Sequence, residues 1–244
     1  MPEESAPHQR TWMQWPAYAE PYDDVDYLHL VRQDIARLAR TIAQYEEVFM
    51  LARPEQVKQA RHMCGATVIV HAVAVDDMWA RDSGPTFVVD GNGKQAIIDF
   101  NFNGWGNKQA HGDDTKIAAK AASLQNISCN KAKLITEGGA IEVDGEGTVL
   151  TTESSLMNDN RNPGLSKAVL EEHLNAALGT CKVIWLPGIR DQDITDGHID
   201  GLARFIRPGL VLVEMLVEGD ISEEAAMVEQ AIILLRNATD AHGR

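Results

Sequence analysis

Leu28, Val31, Ile35, Leu38 and Ile42 recur at intervals of three and four. That period lines one face of an α-helix, and Asp23 or Asp24 can cap its start. Val48–Leu51 follows as a short apolar run of strand type. Pro54 then opens a second helical pattern that reaches Met63, and Val68–Val75 has the continuous apolar character of a buried strand.

From residue 82 onward the pattern repeats. Arg81-Asp82-Ser83-Gly84 leads into Phe87–Val89, a turn at Asp90-Gly91-Asn92-Gly93, and Ala96–Phe100. Glu137-Gly138-Gly139 leads into Ala140–Val143, a turn at Asp144-Gly145-Glu146-Gly147, and Thr148–Thr151. Asp196-Gly197-His198 leads into Leu202–Ile206, a turn at Pro208-Gly209, and Leu210–Met215. Each unit is a hairpin opened by polar and glycine residues. Helical patterns follow near 113–125, 166–178 and 222–236. Strands are expected after the first two, at Lys133–Ile135 and Val183–Leu186; no such strand follows the third. A strand-strand-helix-strand unit repeated at roughly 60-residue intervals predicts an α/β fold with its units arranged in a ring, because such units cannot bury their faces alone. The alternative is a layered α/β fold with a coincidental spacing.

In a ring, Asp82, Glu137 and His198 hold equivalent places at the mouths of successive hairpins and face one axis. Three separate segments then deliver two carboxylates and an imidazole to one pocket. Asp200 joins them if the strand has begun at His198, since residues i and i+2 share a face. Asp191, Asp193 and Asp196 make the preceding loop acidic. Such a pocket calls for a cation, either a metal held by His198 and Asp200 or a planar guanidinium, whose parallel N–H groups match paired carboxylates. Trp79 can offer an aromatic face to an organic cation or belong to the core; Arg81 can brace a carboxylate or face solvent.

Composition narrows the partners. The 244 residues carry a net charge of −14 and a pI of about 4.9, so nucleic acid and anionic membranes are repelled. Small cations are favoured, with screening beyond roughly 8 Å. Cys64, Cys129 and Cys181 are dispersed and odd in number, which fits a reducing cytoplasm rather than a disulfide or zinc framework. The N-terminus lacks a signal-peptide apolar region, and no apolar stretch is long enough to span a bilayer.

Several motifs resemble one family in order. Thr11-Trp12-Met13-Gln14-Trp15-Pro16, Trp79-Ala80-Arg81-Asp82-Ser83-Gly84-Pro85, Asn101-Phe102-Asn103-Gly104-Trp105-Gly106, Glu137-Gly138-Gly139, Asn158 to Pro163 and Asp196-Gly197-His198-Ile199-Asp200 are similar to the agmatine deiminase and bacterial peptidylarginine deiminase family. The resemblance implies a pentein-type α/β propeller of ββαβ repeats, incomplete here, with residues 1–244 forming a single domain. It implies hydrolytic deimination of agmatine, to N-carbamoylputrescine and ammonia, or of a related guanidine such as peptidyl-arginine. In that scheme Asp82 and Asp200 bind the guanidinium, His198 is the general acid/base and Glu137 supports it. Trp79 lines the pocket, and the loop carrying Asp193 and Asp196 meets the distal end of the ligand. No metal or organic cofactor is required.

The family's nucleophilic cysteine follows a glycine-rich stretch near its C-terminus, and none of the three cysteines here matches it. The expectation is a truncated or split chain that associates with a second copy or with a missing C-terminal fragment. The alternative is a non-catalytic guanidinium-binding remnant.

Overall fold

The computed structural model describes residues 1–22, 24–217 and 219–244. Asp23 lies outside the described residues; Asp24 caps the first helix by accepting the Tyr27 N–H at 2.6 Å. The chain forms three three-stranded sheets and one hairpin. The first sheet comprises β1 (Arg10–Gln14), β2 (Glu47–Ala52) and β3 (Val68–Ala72), all parallel. Parallel strands need long crossovers, supplied here by α1 (Val25–Ile42) and α2 (Val57–Cys64). β1 has no clear strand signal of its own; it is a strand because β2 pairs with it. On α1 the contact face is set by Ala36 and Ala39, which are fully buried, while Leu38 is exposed. Small residues let the helix approach the sheet closely, so the leucine is displaced from the expected apolar stripe.

The short helix α3 (Ala80–Ser83) precedes the second sheet, formed by β4 (Thr86–Val89), β5 (Gln95–Asp99) and β6 (Ser128–Lys131). α4 (Gly104–Asn107) and α5 (Ile117–Gln125) lie between β5 and β6. The third sheet has β7 (Glu142–Val143), β8 (Thr148–Thr152) and β9 (Lys182–Leu186), with α6 (Glu153–Leu156) and α7 (Lys167–Leu178) before its last strand. In both sheets the first pair is antiparallel and the second parallel, the strand-strand-helix-strand unit read from the sequence. The hairpin β10 (Ala203–Arg207) and β11 (Leu210–Val213) is followed by α8 (Glu223–Asn237).

One strand falls elsewhere than expected. Lys133–Ile135 is not extended into a sheet; Ser128–Lys131 takes that place. β6 is a mostly polar edge strand, paired along its backbone to β5, with only Cys129 packing inward. Leu134 is apolar because it is buried in a loop against Ile98, Phe100 and Leu170.

Leu170, Leu174 and Leu178 of α7 fill a shared core with Ile98 of the second sheet and Ile141, Val149 and Leu156 of the third unit. α8 packs Val228 and Ala231 against Leu150, Leu186 and Leu202, tying the hairpin to the third sheet. Leu212, Met215, Val217, Ile221 and Ile233 remain exposed on this last unit. No helix among the described residues is long and apolar enough to cross a membrane. Leu174 is fully buried at the junction of two sheets, so Leu174→Ala is expected to cost about 2–5 kcal/mol of stability, measured as a lower urea midpoint with unchanged slope.

Candidate active site

Three tight turns sit before the three hairpins and stack on one another: α3, the 3-10 turn Gly138–Ala140 and the 3-10 turn Ile199–Gly201. Asp82 lies within the first, Glu137 immediately precedes the second, and His198 immediately precedes the third. His198 and Asp200 are therefore not alternate residues of a strand, which begins only at Ala203. The 3-10 turn brings both to the same place by another route.

That place is the α-carbon of Gly139. A β-carbon added there would lie 2.5 Å from His198 Nδ1 and 2.8 Å from both Asp82 Oδ1 and Asp200 Oδ2. Real β-carbons do not come so close, so only glycine leaves room for the three side chains to converge. The Gly139 N–H also donates to Asp82 Oδ1 at 2.9 Å. Asp82 Oδ2 accepts the indole N–H of Trp105 at 3.1 Å. His198 stands between two acids, with Nδ1 3.7 Å from Asp82 Oδ1 and Nε2 3.3 Å from Glu137 Oε2.

Glu137 is fully buried and held by Arg161, whose Nε donates to Oε1 at 2.8 Å and to Oε2 at 3.0 Å. The remaining guanidinium nitrogens of Arg161 donate to Asp196 Oδ2 at 2.7 Å, Asn160 Oδ1 at 2.9 Å and the Thr195 carbonyl at 2.9 Å. Asp196 is itself fully buried and also accepts from Lys108 at 2.7 Å, Asn160 at 3.1 Å and the Asp191 N–H at 3.0 Å. Its oxygens are consumed by the protein. The direct ligand role expected of Asp196 therefore gives way to a bracing role beneath the site.

The titration shifts follow from this arrangement. Burial raises the pKa of Asp82, assisted by the charge of Glu137 and opposed by His198, Gly139 and Trp105. Burial alone would lower the pKa of His198, but the Glu137 hydrogen bond and the charges of Asp82, Glu137 and Asp200 raise it overall. Burial would raise Asp196, yet the bonds from Lys108, Asp191, Arg161 and Asn160 hold it well below the usual carboxylate range. Even with His198 protonated, Asp82, Glu137, Asp196 and Asp200 outnumber Arg161, Lys108 and His198. Asp82 and Asp200 are the two of these carboxylates that neither Arg161 nor Lys108 pairs.

Trp79 immediately precedes α3 and is half exposed. Asp193 is exposed. Burial acts to raise its pKa, but hydrogen bonds from Thr195 and Gly197 and the nearby charge of His198 lower it overall. Arg81 points away from the site, to Glu4 at 2.7 Å and Glu142 at 3.7 Å. It lines a separate cleft of about 400 Å³ that includes Glu4, Trp12 and Phe87 but none of Asp82, His198 and Asp200. Among the described residues no group of three or more His, Cys, Asp or Glu side chains is arranged to hold a metal ion.

Two further supports fix the segment that carries Asp82. Gln14, buried on β1, donates to the Asp77 carbonyl at 2.8 Å and accepts from Ser83 Oγ at 2.9 Å. Asp114 accepts the N–H groups of Asp76 at 2.8 Å and Asp77 at 3.1 Å, and Asp76 in turn accepts that of Asp113 at 2.6 Å. Burial pushes the pKa of Asp114 up to about 7.

Arg161, Trp105, Asn160 and Lys108 carry no role in the sequence reading, although three of them fall in motif stretches. Gly104, Trp105, Gly106 and Asn107 are all left-handed, with φ of 65°, 56°, 80° and 64°. The alternation of Gly and Asn around Trp105 is the available signal for that backbone. No comparable signal marks a buried arginine.

The whole chain, residues 1–244, matches the family described as Porphyromonas-type peptidyl-arginine deiminase. An agmatine deiminase of Medicago truncatula is 38% identical over 259 residues, covering 100% of this chain and 68% of its own length. The structure of an agmatine deiminase of Enterococcus faecalis superimposes with a TM-score of 0.93 at 32% identity, over 100% of this chain and 68% of that one. A cysteine-to-serine variant of a C. jejuni agmatine deiminase with substrate bound gives a TM-score of 0.85 at 28% identity, over 98% and 71%. The chain belongs to this family of guanidino deiminases.

The Arg161 cluster makes a direct stability prediction. Arg161→Met leaves Glu137 and Asp196 buried without their shared cation and is expected to cost about 3–5 kcal/mol in urea unfolding. Arg37→Ala, which breaks the exposed pair with Asp34, is expected to cost at most about 1 kcal/mol.

Proposed function

We propose that this site binds a planar guanidinium between Asp82 and Asp200 and takes part in its hydrolytic deimination. The substrate is agmatine, or a related guanidine such as peptidyl-arginine; agmatine gives N-carbamoylputrescine and ammonia. The observation that carries the reading is the convergence of Asp82, Asp200 and His198 on the bare α-carbon of Gly139. Paired carboxylates accept the parallel N–H groups of a guanidinium and neutralise it. Trp79 lines the mouth of the pocket, and the exposed Asp193 suits a distal primary amine.

A cysteine thiolate attacks the central carbon, and His198 gives its proton to the departing ammonia, leaving an amidino-thioether. His198 then takes a proton from water, which adds to the same carbon; the thiolate leaves and the ureido product is released. Glu137, aimed by Arg161, favours the charged imidazole needed for the first step. No metal or organic cofactor enters this scheme.

The thiol is not one of the three in this chain. Cys64 is buried against Met13 and Trp15, with its pKa pushed up to about 11 by burial. Cys129 packs beside Ile97, and Cys181 lies near Gly147. In this reading the four sheets are blades of a pentein-type propeller and belong to one domain in a reducing cytoplasm. The exposed face of Leu212, Met215 and Ile233 is covered by a second copy or by a C-terminal fragment that brings the cysteine. The lodging of all three thiols among other groups also favours a second reading, in which the chain binds guanidines without turning them over.

Calorimetry with agmatine, run beside an ammonia assay, separates the two: heat with ammonia supports the deiminase, and heat without ammonia supports the binding remnant. Absence of heat, or equal affinity in Asp82→Asn, sinks both. Affinity is expected to fall as pH drops, with a midpoint above the ordinary 3.8 of Asp because Asp82 is raised; His198, charging over a higher range, acts in the same direction. Gly139→Ala is expected to abolish binding with an unchanged circular dichroism spectrum, whereas Gly91→Ala, with nothing within 4 Å of its β-carbon, leaves binding intact. For the covered face, a stable monomer in light scattering at high concentration counts against association.

A further inference from the structure

We infer that Trp105 is a positioning residue for Asp82: its indole N–H fixes one carboxylate oxygen and favours the carboxylate over the neutral acid. This deepens the guanidinium-binding reading, on which its ligand-binding arm rests.

Three observations support it independently. The first is the contact itself, Nε1 to Oδ2 at 3.1 Å. With the Gly139 N–H on Oδ1 at 2.9 Å, it gives each oxygen of Asp82 one fixed donor and sets the plane of the carboxylate. The second is the backbone. Trp105 is buried in the left-handed region at φ 56° and ψ 48°, a conformation that a bulky residue rarely adopts and that persists only where surroundings over-determine it. The third is the packing that over-determines it. The Trp105 ring stands edge-on to Phe102, with centroids 5.1 Å apart and planes at 87°. Gly106 lies against Asn160 so closely that a β-carbon there would collide with the Asn160 side chain. Asn103 binds the Gly106 N–H at 2.8 Å and donates to the Asn160 carbonyl at 3.0 Å. Asn160 in turn donates to Asp196, which Arg161 joins to Glu137. The indole is therefore anchored to the same framework that anchors the partner of His198.

The surroundings of Asp82 make the donor consequential. Burial and the charge of Glu137 disfavour a negative charge there; His198 favours it only while protonated. Arg81, on the same turn, is engaged with Glu4 and Glu142 on the other side. When His198 gives up its proton, the two N–H donors are what remain to hold Asp82 as an anion. A hydrogen bond to a carboxylate lowers its pKa.

Trp105→Phe keeps an aromatic ring and removes the donor. The carboxyl-carbon NMR titration of Asp82, assigned by its loss in Asp82→Asn, is expected to move to higher pH in Trp105→Phe. This readout needs no ligand, so it stands or falls separately from the guanidine reading. Agmatine affinity at pH 7 is expected to fall roughly ten- to a hundredfold and to recover as pH is raised. An unmoved Asp82 titration overturns the inference, as does an equal loss of affinity at every pH, which marks a purely structural change. If the variant does not fold, the unmutated chain decides: the Trp105 indole nitrogen resonance should shift with the Asp82 titration, and a resonance indifferent to it overturns the inference.

Discussion

The site depends on one buried cation. Arg161 joins Glu137 and Asp196, two fully buried carboxylates of which Asp196 also takes the Lys108 ammonium. A carboxylate out of water is tolerable only when paired and hydrogen-bonded. The geometry of the guanidinium sets what each partner can do. Its Nε side grips both oxygens of Glu137, leaving one oxygen turned towards His198; its Nη1 side holds the residue just before Gly197-His198. The acid that tunes the imidazole and the loop that delivers it are thus referred to a single planar group.

Around this centre the charges fall into two classes. Glu137 and Asp196 are matched and silent. Asp82 and Asp200 have no arginine or lysine partner and face the space left by Gly139. That difference, more than the overall acidity of the chain, distinguishes this spot from the rest of the surface. The two kinds of carboxylate have the same chemistry and are told apart only by their partners.

The strand-strand-helix-strand repeat was legible in the sequence because hairpin turns and helical periodicity are local signals. So was the grouping of Asp82, Glu137 and His198, which follows from the repeat. What escaped was non-local. β1 is a strand through pairing with β2, and β6 is mostly polar because it pairs along its backbone at an edge. Leu134 suggested a strand where it serves a loop core. The i and i+2 argument for His198 and Asp200 assumed an extended chain where the structure has a 3-10 turn. Asp196 looked like Asp193 in the sequence, and only burial and partners separate a brace from a surface carboxylate. Trp105 and Arg161 needed the third dimension altogether.

Gln14 gives the architecture a temporal side. It sits on the first strand yet binds both the Asp77 carbonyl and Ser83, on either side of Asp82. The other bonds that shape the site, Asp82 to Gly139 and Glu137 to His198, likewise join segments remote in sequence. Such contacts become favourable only after long loops have closed, and they add to contact order, the property that slows folding. The helices and hairpins can form from near neighbours, but the site geometry waits for separate sheets to dock. A consequence is that local opening of the N-terminal strand would disorganise the site before the cores of the other sheets were lost.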